Sequence, residues 1–260
     1  MKFLFKIILL TGLAGGFYLV CQESRLSGLE IIDKVYNRAA ENDLKSTLTM
    51  TLINSAGQQR VRKIMQFSKR YGSDEKKIMF FVMPADVRNT SFMTWSYADQ
   101  TKSDDQWIYL PALGRIKRIA SDSKSDYFMG SDFTFDDLGD RHPGKDTHTI
   151  VKTEIYNNEE CLVVESRPKE TGYMYSRTVT WVIKDKWIDI KKEFYDESDS
   201  LLKILTAEEY SLVKNYWIIT GRKMHNIRKK HTTLMKLSEI SIDTGLDSEL
   251  FTERMMKRGM

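Results

Sequence analysis

Apolar and polar side chains alternate with two different periods along the chain, and the change between them separates one helix from a long strand-rich region. Ile32 and Val35 recur at helical spacing behind Ser27 and Glu30, which stand three positions apart as in a capping box. This pattern predicts an amphipathic helix over residues 28–40.

From residue 44 onward the period is two, as in strands with one buried and one exposed face. In residues 44–53, for example, Leu48, Met50 and Leu52 alternate with threonines. The runs predicted as strands are separated by short turn-forming stretches. They are 44–53, 60–70, 76–83, 91–98, 105–110, 115–120, 148–156, 160–167, 176–184, 187–195, 201–212, 216–228 and 231–242. Because short connections favour antiparallel neighbours, we predict a mainly β protein with one long antiparallel sheet, which must curl, split or close.

The first 21 residues have the features of an export signal. Lys2 and Lys6 accompany an uncharged, mainly apolar run, residues 7–20, which is too short for a comfortable membrane span and suits the core of a signal peptide. We therefore predict a signal peptide at 1–21 and a single domain at 22–260.

Two alternatives for this region remain open. Cys21 could carry a lipid anchor. Val20, however, stands where a lipobox usually has a small residue, so lipid anchoring is the less favoured interpretation. The same apolar run also permits an anchor that is not cleaved.

The overall composition is that of a globular protein. Hydrophobic residues make up 41% and charged residues 29% of the chain, which is enough to bury a core. The formal net charge is +4 and falls to +2 without Lys2 and Lys6. A general nucleic-acid binder would carry a basic domain or stripe, so we expect no nucleic-acid partner.

No common catalytic or metal-binding motif is found in the sequence. The histidines at 142, 148, 225 and 231 fit no standard zinc spacing, and a solvated basic edge is the better interpretation of His225 and His231. The aspartates of residues 122–140 would need a cleft with a nucleophile or activated water to act as acid and base. The chain has no G-x-S-x-G elbow and no phosphate-binding glycine loop. We predict a protein that is not an enzyme and has no catalytic residues, metal site or cofactor.

Several strands are more apolar than a half-buried sheet requires. Residues 78–83 are apolar on both faces, which implies burial on both sides or a lipid against one of them. If these strands are adjacent, their side chains form a concave, methionine-rich lining that adapts to acyl chains. The predicted lipid-binding residues are Leu48, Met50, Leu52, Met65, Phe67, Met79, Phe81 and Met83. Periodicity does not separate such a lining from an ordinary core, so both interpretations remain open.

Residues 105–139 form the most distinctive block of the sequence. A strand-like run breaks at Pro111 and Gly114, a basic strand follows, and an aromatic and acidic loop comes next. This block resembles the hallmark segment of the outer-membrane lipoprotein-sorting family, the LolA-like proteins of the bacterial envelope. A looser resemblance extends from Leu29 to Met255.

The resemblance implies an incomplete, half-open β-barrel wrapped around a few short helices. It also implies a carrier in the periplasm of a Gram-negative bacterium, whose partners are the acyl chains of a lipid or lipoprotein. The alternative is an accessory interaction subunit of an envelope lipid or drug exporter, which would bind an inner-membrane transporter and carry no lipid.

The aromatic and acidic loop, residues 122–139, is too apolar for a free loop and too polar for a core strand. We predict that it covers the mouth of the cavity with its aromatic side inward and its carboxylates in water, where they also meet the basic strand at Arg115, Lys117 and Arg118. The predicted mouth or partner residues are Trp107, Tyr109, Phe128, Met129, Phe133, Asp136 and Asp137.

Overall fold

A computed structural model describes residues 26–260 and contains a strand at each of the predicted positions. In chain order the strands are β1 (Asp43–Ile53), β2 (Gln59–Tyr71), β3 (Asp74–Met83), β4 (Ser91–Ser96), β5 (Asp105–Leu110), β6 (Arg115–Arg118), β7 (Asp146–Tyr156), β8 (Glu159–Pro168), β9 (Arg177–Ile183), β10 (Ile188–Tyr195), β11 (Leu201–Val213), β12 (Tyr216–Asn226) and β13 (His231–Ile242). The predicted runs therefore located every strand, although β4 and β9 are buried on both faces.

All strands belong to one antiparallel sheet with the order β6-β5-β4-β3-β2-β1-β13-β12-β11-β10-β9-β8-β7. Apart from β6 and β7, strands that are neighbours in sequence pair with each other, and the first strand also pairs with the last. Strands β6 and β7 are the two edges, so the sheet is not closed into a barrel. The prediction of a mainly β protein with one half-open antiparallel sheet and few short helices is confirmed.

The connection between the two edge strands, residues 119–145, lies against one face of the sheet. We call it the crossing segment, and the face that it covers the inner face. It contains four short 3-10 turns and one small hairpin, in which the Phe128 N–H donates to the Phe133 carbonyl at 2.7 Å. Gly130 has a φ of +73°, which permits the sharp turn of this hairpin.

The first helix, α1 (Gly28–Tyr36), begins at the predicted capping box and ends earlier than expected. The Ser27 hydroxyl accepts a hydrogen bond from the Glu30 N–H, and the Glu30 carboxylate accepts one from the Ser27 N–H. Alternation along β8 and β9 places Val182 on the inner face, and Ile31 of α1 packs against it. This helix therefore covers the far end of the inner face.

The C-terminal helix, α2 (Glu253–Arg258), and the 3-10 turn before it, Ser248–Phe251, match the predicted last helical turns. They pack on the outer face, where Phe251 and Met256 join Phe80 of β3 in one buried cluster. The two halves of the chain are thus covered by helices on opposite faces of the sheet.

The predicted signal peptide at 1–21 lies outside the described residues. Among residues 26–260, none of the helices has the length and apolar character needed to cross a membrane.

Candidate functional site

An apolar patch occupies the part of the inner face formed by β1 and β3. Leu48, Met50 and Leu52 of β1 are buried there together with Phe81 of β3. Met79 of β3 is partly buried against them. These five residues, here called the inner apolar patch, are the part of the predicted lipid-binding set that the structure brings together.

The other three predicted residues lie elsewhere. Met65 and Phe67 of β2 lie on the outer face, where the Phe67 and Phe80 ring centroids are 6.2 Å apart, and Met83 at the end of β3 is 49% exposed. The pairing register explains why Met65 lies on the outer face. Met65 stands opposite Thr47, whose side chain points away from the face on which Leu48, Met50 and Leu52 are buried. The prediction of one lining that contains all eight residues is therefore wrong in its geometry.

Aromatic side chains of the crossing segment fill the space above the inner apolar patch. Phe128 is fully buried, with its ring centroid 4.9 Å from that of Phe92 and 6.0 Å from that of Phe81. Phe135 lies 5.7 Å from both Phe92 and Phe128, and Met129 packs at the margin. The aromatic side of the segment faces inward, as predicted.

The remaining aromatic residues of the predicted mouth divide between the two faces. Phe133 is buried on the inner face near Phe194 of β10 and Leu205 of β11. Trp107 and Tyr109 of β5 instead lie on the outer face, in the cluster that α2 covers. These two residues do not belong to the mouth, because alternation along β5 points them away from the crossing segment.

A buried ion pair ties the crossing segment to β11. The fully buried Lys203 ammonium donates to the Asp137 carboxylate, and to the Asp132 carbonyl at 3.2 Å. The Asp137 carboxylate also accepts the Tyr175 hydroxyl at 3.0 Å and the Thr134 N–H at 2.7 Å. Burial, followed by the charge of Asp137, raises the pKa of Tyr175 well above its usual value. Two donors from distant parts of the chain, Lys203 and Tyr175, thus converge on Asp137 of the crossing segment.

A second polar contact ties the segment to β13. The Asp132 carboxylate lies 2.6 Å from Nδ1 of His231 and accepts the Thr233 hydroxyl at 2.7 Å. The Asp132 N–H in turn donates to the Thr233 hydroxyl at 2.9 Å. The solvated basic edge is therefore a wrong interpretation for His231, which lies on the inner face, whereas His225 bonds Thr232 on the outer face.

Asp132, Asp136 and Asp137 are bonded to other parts of the chain and do not lie free in water, and for them the sequence prediction is wrong, whereas Asp122 and Asp126 are exposed. Asp136 accepts the Tyr173 hydroxyl, and burial raises the pKa of Asp136 above its usual value. The basic strand does not supply the partners either, because Arg118 pairs with Asp105 of the neighbouring strand. The partners come instead from residues far along the chain, which the local pattern does not reveal.

A third contact holds the end of the crossing segment at the other side of the sheet. The Lys77 ammonium of β3 lies 3.1 Å from the Asp140 carboxylate and 3.0 Å from the Glu75 carboxylate. The Asp140 N–H donates to Asp104 at 2.9 Å. Although burial opposes its charge, the two carboxylates raise the pKa of Lys77, and burial raises the pKa of Asp104. The rings of Phe128 and Phe135 and the polar contacts of Asp132, Asp137 and Asp140 therefore hold the segment together against the sheet.

These contacts bind a loop to a sheet. Throughout residues 26–260, histidine, cysteine and acidic side chains form no group of three or more that would suit a metal ion. The residues that the sequence prediction missed are Lys203, Tyr173, Tyr175, Asp132 and His231. One signal was available, since Lys203 interrupts the apolar run 201–205 and a buried lysine requires a partner.

Comparison with known proteins supports the family resemblance. A family model described as an uncharacterized protein matches residues 73–258. A domain from Vibrio parahaemolyticus, described as an outer-membrane lipoprotein-sorting protein, is 33% identical, with 89% of this chain and 98% of that chain covered and a TM-score of 0.83. A DUF1329 family protein from Desulfovibrio piger is 28% identical, with coverages of 88% and 97% and a TM-score of 0.83.

A more distant solved structure shares the fold. It is a LolA superfamily protein from Nitrosomonas europaea, 18% identical, with 89% of this chain and 100% of that chain covered and a TM-score of 0.69. No curated protein matches the chain. The half-open sheet is thus a LolA-like fold, and the 33% identity to the Vibrio domain establishes that the chain belongs to the family of outer-membrane lipoprotein-sorting proteins.

Proposed function

We propose that the protein is a periplasmic carrier that shields the acyl chains of a lipid or lipoprotein on the inner apolar patch. One observation carries this proposal: the patch is covered by a loop, the crossing segment, and not by a second sheet. Because this loop joins the two edge strands, it can move without breaking the hydrogen bonds between any two strands. The cover therefore can give way to a cargo while the sheet stays intact.

The change in apolar burial in such an exchange is nearly balanced. Burial of a phenylalanine side chain contributes about 1.5–3 kcal/mol, so the rings of Phe128 and Phe135 together contribute roughly 3–6 kcal/mol to closure. Eight methylene groups of an acyl chain would contribute about 6 kcal/mol on the same patch. A cargo that replaces the two rings, while the Lys203–Asp137 and Asp132–His231 contacts stay formed, would thus bind with little net change in apolar burial, as a carrier requires.

Binding of a fluorescent fatty acid to the purified protein tests this proposal with a matched pair of variants. Phe81→Ser removes a ring from the inner apolar patch, and Phe67→Ser removes an equally buried ring from the outer face. We expect similar losses of stability from both changes, but a loss of acyl binding only from Phe81→Ser. Extraction of the native protein should also release lipid that mass spectrometry identifies.

A second candidate is the accessory subunit of an envelope lipid or drug exporter. The observation that favours it is the closed inner face, since Phe128 and Phe92 already fill the space that a cargo would take. This function predicts stable co-purification with an inner-membrane transporter and no bound lipid. Absence of saturable fatty-acid binding together with such a complex would decide against the carrier.

A further inference from the structure

Strands β1 to β6 have two ends, and segments that are distant in sequence meet at each of them. Antiparallel strands joined by short connections place those connections alternately at the two ends of a sheet. Three of the connections therefore share one end: 54–58, 84–90 and 111–114. The other end carries two of them: 72–73 and 97–104.

The last residues of the chain join the first of these ends. The Ser91 hydroxyl, at the start of β4, donates to the Met256 carbonyl of α2 at 2.9 Å. Gly259, directly after α2, lies beside Asn89 of the connection between β3 and β4. We call this end the basic end. It comprises residues 59–63, 83–90, 111–115 and 256–260.

The basic end has a large excess of positive charge. Its segments contain seven arginine and lysine side chains and one acidic side chain, Asp86. Neighbouring strands lie about 4.8 Å apart, so the row from β2 to β6 that carries these segments spans roughly 19 Å. Six of the cations are exposed and form no ion pair within residues 26–260: Arg60, Lys63, Arg88, Arg115, Lys257 and Arg258.

The opposite end of the same strands is acidic. Residues 72–75, 97–105 and 243–249 contain eight acidic side chains and one lysine. Residues 243–249 lie at this end because the Asp243 N–H donates to the Asp43 carbonyl, at the start of β1, at 2.9 Å. The molecule therefore has a charge dipole along these strands. An anionic surface would attract the basic end and turn it toward itself.

The later strands do not extend the basic surface. At the same end of the sheet, the connections 196–200 and 227–230 contain three acidic and three basic side chains. Arg228 pairs with Asp196 there, and Asp199 pairs with Arg177 of β9. The excess of positive charge therefore belongs to the part of the sheet that also carries the inner apolar patch.

Exposed apolar side chains stand among the cations of the basic end. Leu113, two residues before Arg115, is 56% exposed, and Val61, Met83 and Met260 are each about half exposed. A bilayer surface accommodates both kinds of side chain, because apolar tips enter the boundary between headgroups and acyl chains while long cationic side chains reach the phosphates. An acidic protein surface would satisfy the charges alone.

We propose that the basic end docks on the surface of an anionic lipid bilayer, with the Leu113 side chain inserted among the headgroups. The hairpin of the crossing segment lies beside this end, since Arg62 of β2 donates to the Met129 carbonyl. Docking therefore brings Phe128, which covers the inner apolar patch, to the membrane. The inference rests on the charges and exposed side chains of one end, so it does not depend on the proposed carrier function.

Sedimentation with lipid vesicles tests the charges. The purified protein should bind vesicles of phosphatidylglycerol and phosphatidylcholine at least about tenfold more tightly than vesicles of phosphatidylcholine alone, and added salt should weaken this binding. Each lysine or arginine near an anionic surface strengthens binding about fivefold. The double variant Lys257→Gln, Arg258→Gln should therefore bind the anionic vesicles at least about tenfold more weakly than the wild type.

The matched control removes the same charge from the opposite end of the sheet. Lys102 and Lys184 are exposed in the connections before β5 and before β10. Lys102→Gln, Lys184→Gln should bind the anionic vesicles as tightly as the wild type. Equal losses from the two double variants would overturn the inference, because net charge and not the basic end would then control binding.

A second pair of variants tests the apolar contact. Leu113→Gln should weaken binding to the anionic vesicles about fivefold or more, because a buried leucine side chain is lost from the interface. Leu212→Gln is its control, since Leu212 is 55% exposed near the end of β11, at the opposite end of the sheet. It should leave binding unchanged. A loss that is the same for both leucines would overturn the insertion of Leu113.

Two further results would overturn the docking surface itself. One is the absence of binding to anionic vesicles, and the other is equal binding to anionic and neutral vesicles. If vesicles are not bound but the protein dimerises at low salt, and Lys257→Gln, Arg258→Gln abolishes the dimer, the basic end binds the acidic end of a second copy instead. Fatty-acid binding is measured without vesicles, so failure of the carrier function and failure of membrane docking are distinguishable.

Discussion

The Lys203 ammonium donates to the Asp137 carboxylate although 66 positions separate the two residues, and both side chains are almost completely buried. The pair joins a strand of the sheet to the loop that covers it. Charges buried in this way are tolerated only when both partners are present. The contact therefore fixes where the crossing segment lies, and its removal gives the first prediction.

Lys203→Met should destabilise the protein by about 3–5 kcal/mol, because Asp137 would remain buried and unpaired. Lys203→Met combined with Asp137→Leu should cost less than Lys203→Met alone, since no charge is then left without a partner. Chemical denaturation of the single and double variants measures both values. A double variant that loses at least as much stability as the sum of the two single changes would show that the pair does not act as a unit.

Removal of the Phe128 ring should loosen the crossing segment and leave the sheet folded. Phe128→Ser deletes contacts with Phe81 and Phe92, so residues 119–145 should be cleaved faster by a protease. Phe80→Ser is the control, because Phe80 is equally buried on the outer face. It should lower stability without exposing the segment. Identical cleavage patterns in the two variants would contradict the role of Phe128 as the central contact of the cover.

The raised pKa of Asp136 predicts a dependence of stability on pH. Its folded-state pKa lies above the unfolded value, so the folded protein binds the proton more tightly between these two values. Its contribution to stability is present at low pH and is lost as pH rises through the folded-state pKa. Denaturation of the wild type and Asp136→Asn from pH 3.5 upward should show a difference between them that changes across this window. A constant difference would mean that Asp136 titrates alike in both states.

Gly28 should tolerate no side chain. A Cβ atom at this position would lie 2.7 Å from the backbone carbonyl carbon and oxygen of His148, and backbone atoms cannot move aside cheaply. Gly28→Ala should therefore displace α1 from β7 and lower the melting temperature. Leu29→Ala, at a residue 44% exposed on the same helix, should have little effect on it. Equal melting temperatures for the two variants would show that α1 adapts without cost.

The sequence located the strands but not the faces on which they place their side chains. Met65 and Leu48 both alternate correctly along their own strands, yet they point to opposite faces, because one residue of register between strands reverses the face. The capping box at Ser27 was predictable since all its atoms lie within one turn. Asp137 was placed in water because its partner, Lys203, is distant in sequence. Local patterns therefore predicted the sheet and the aromatic side of the cover, and long-range charge pairing decided the rest.

The pairing of the first strand with the last has a consequence for the order in which the molecule assembles. The strands before the crossing segment and those after it form two local meanders, and within residues 26–260 β1 with β13 is the only strand pair that joins them. Phe128 contacts Phe81 and Phe92, which belong to the earlier meander. Asp132 and Asp137 contact His231 and Lys203, which belong to the later one. During refolding, amide protection should therefore appear around the aromatic rings before it appears around the buried aspartates. We therefore expect the apolar contacts of Phe128 to form first and the polar contacts of Asp132 and Asp137 to form last.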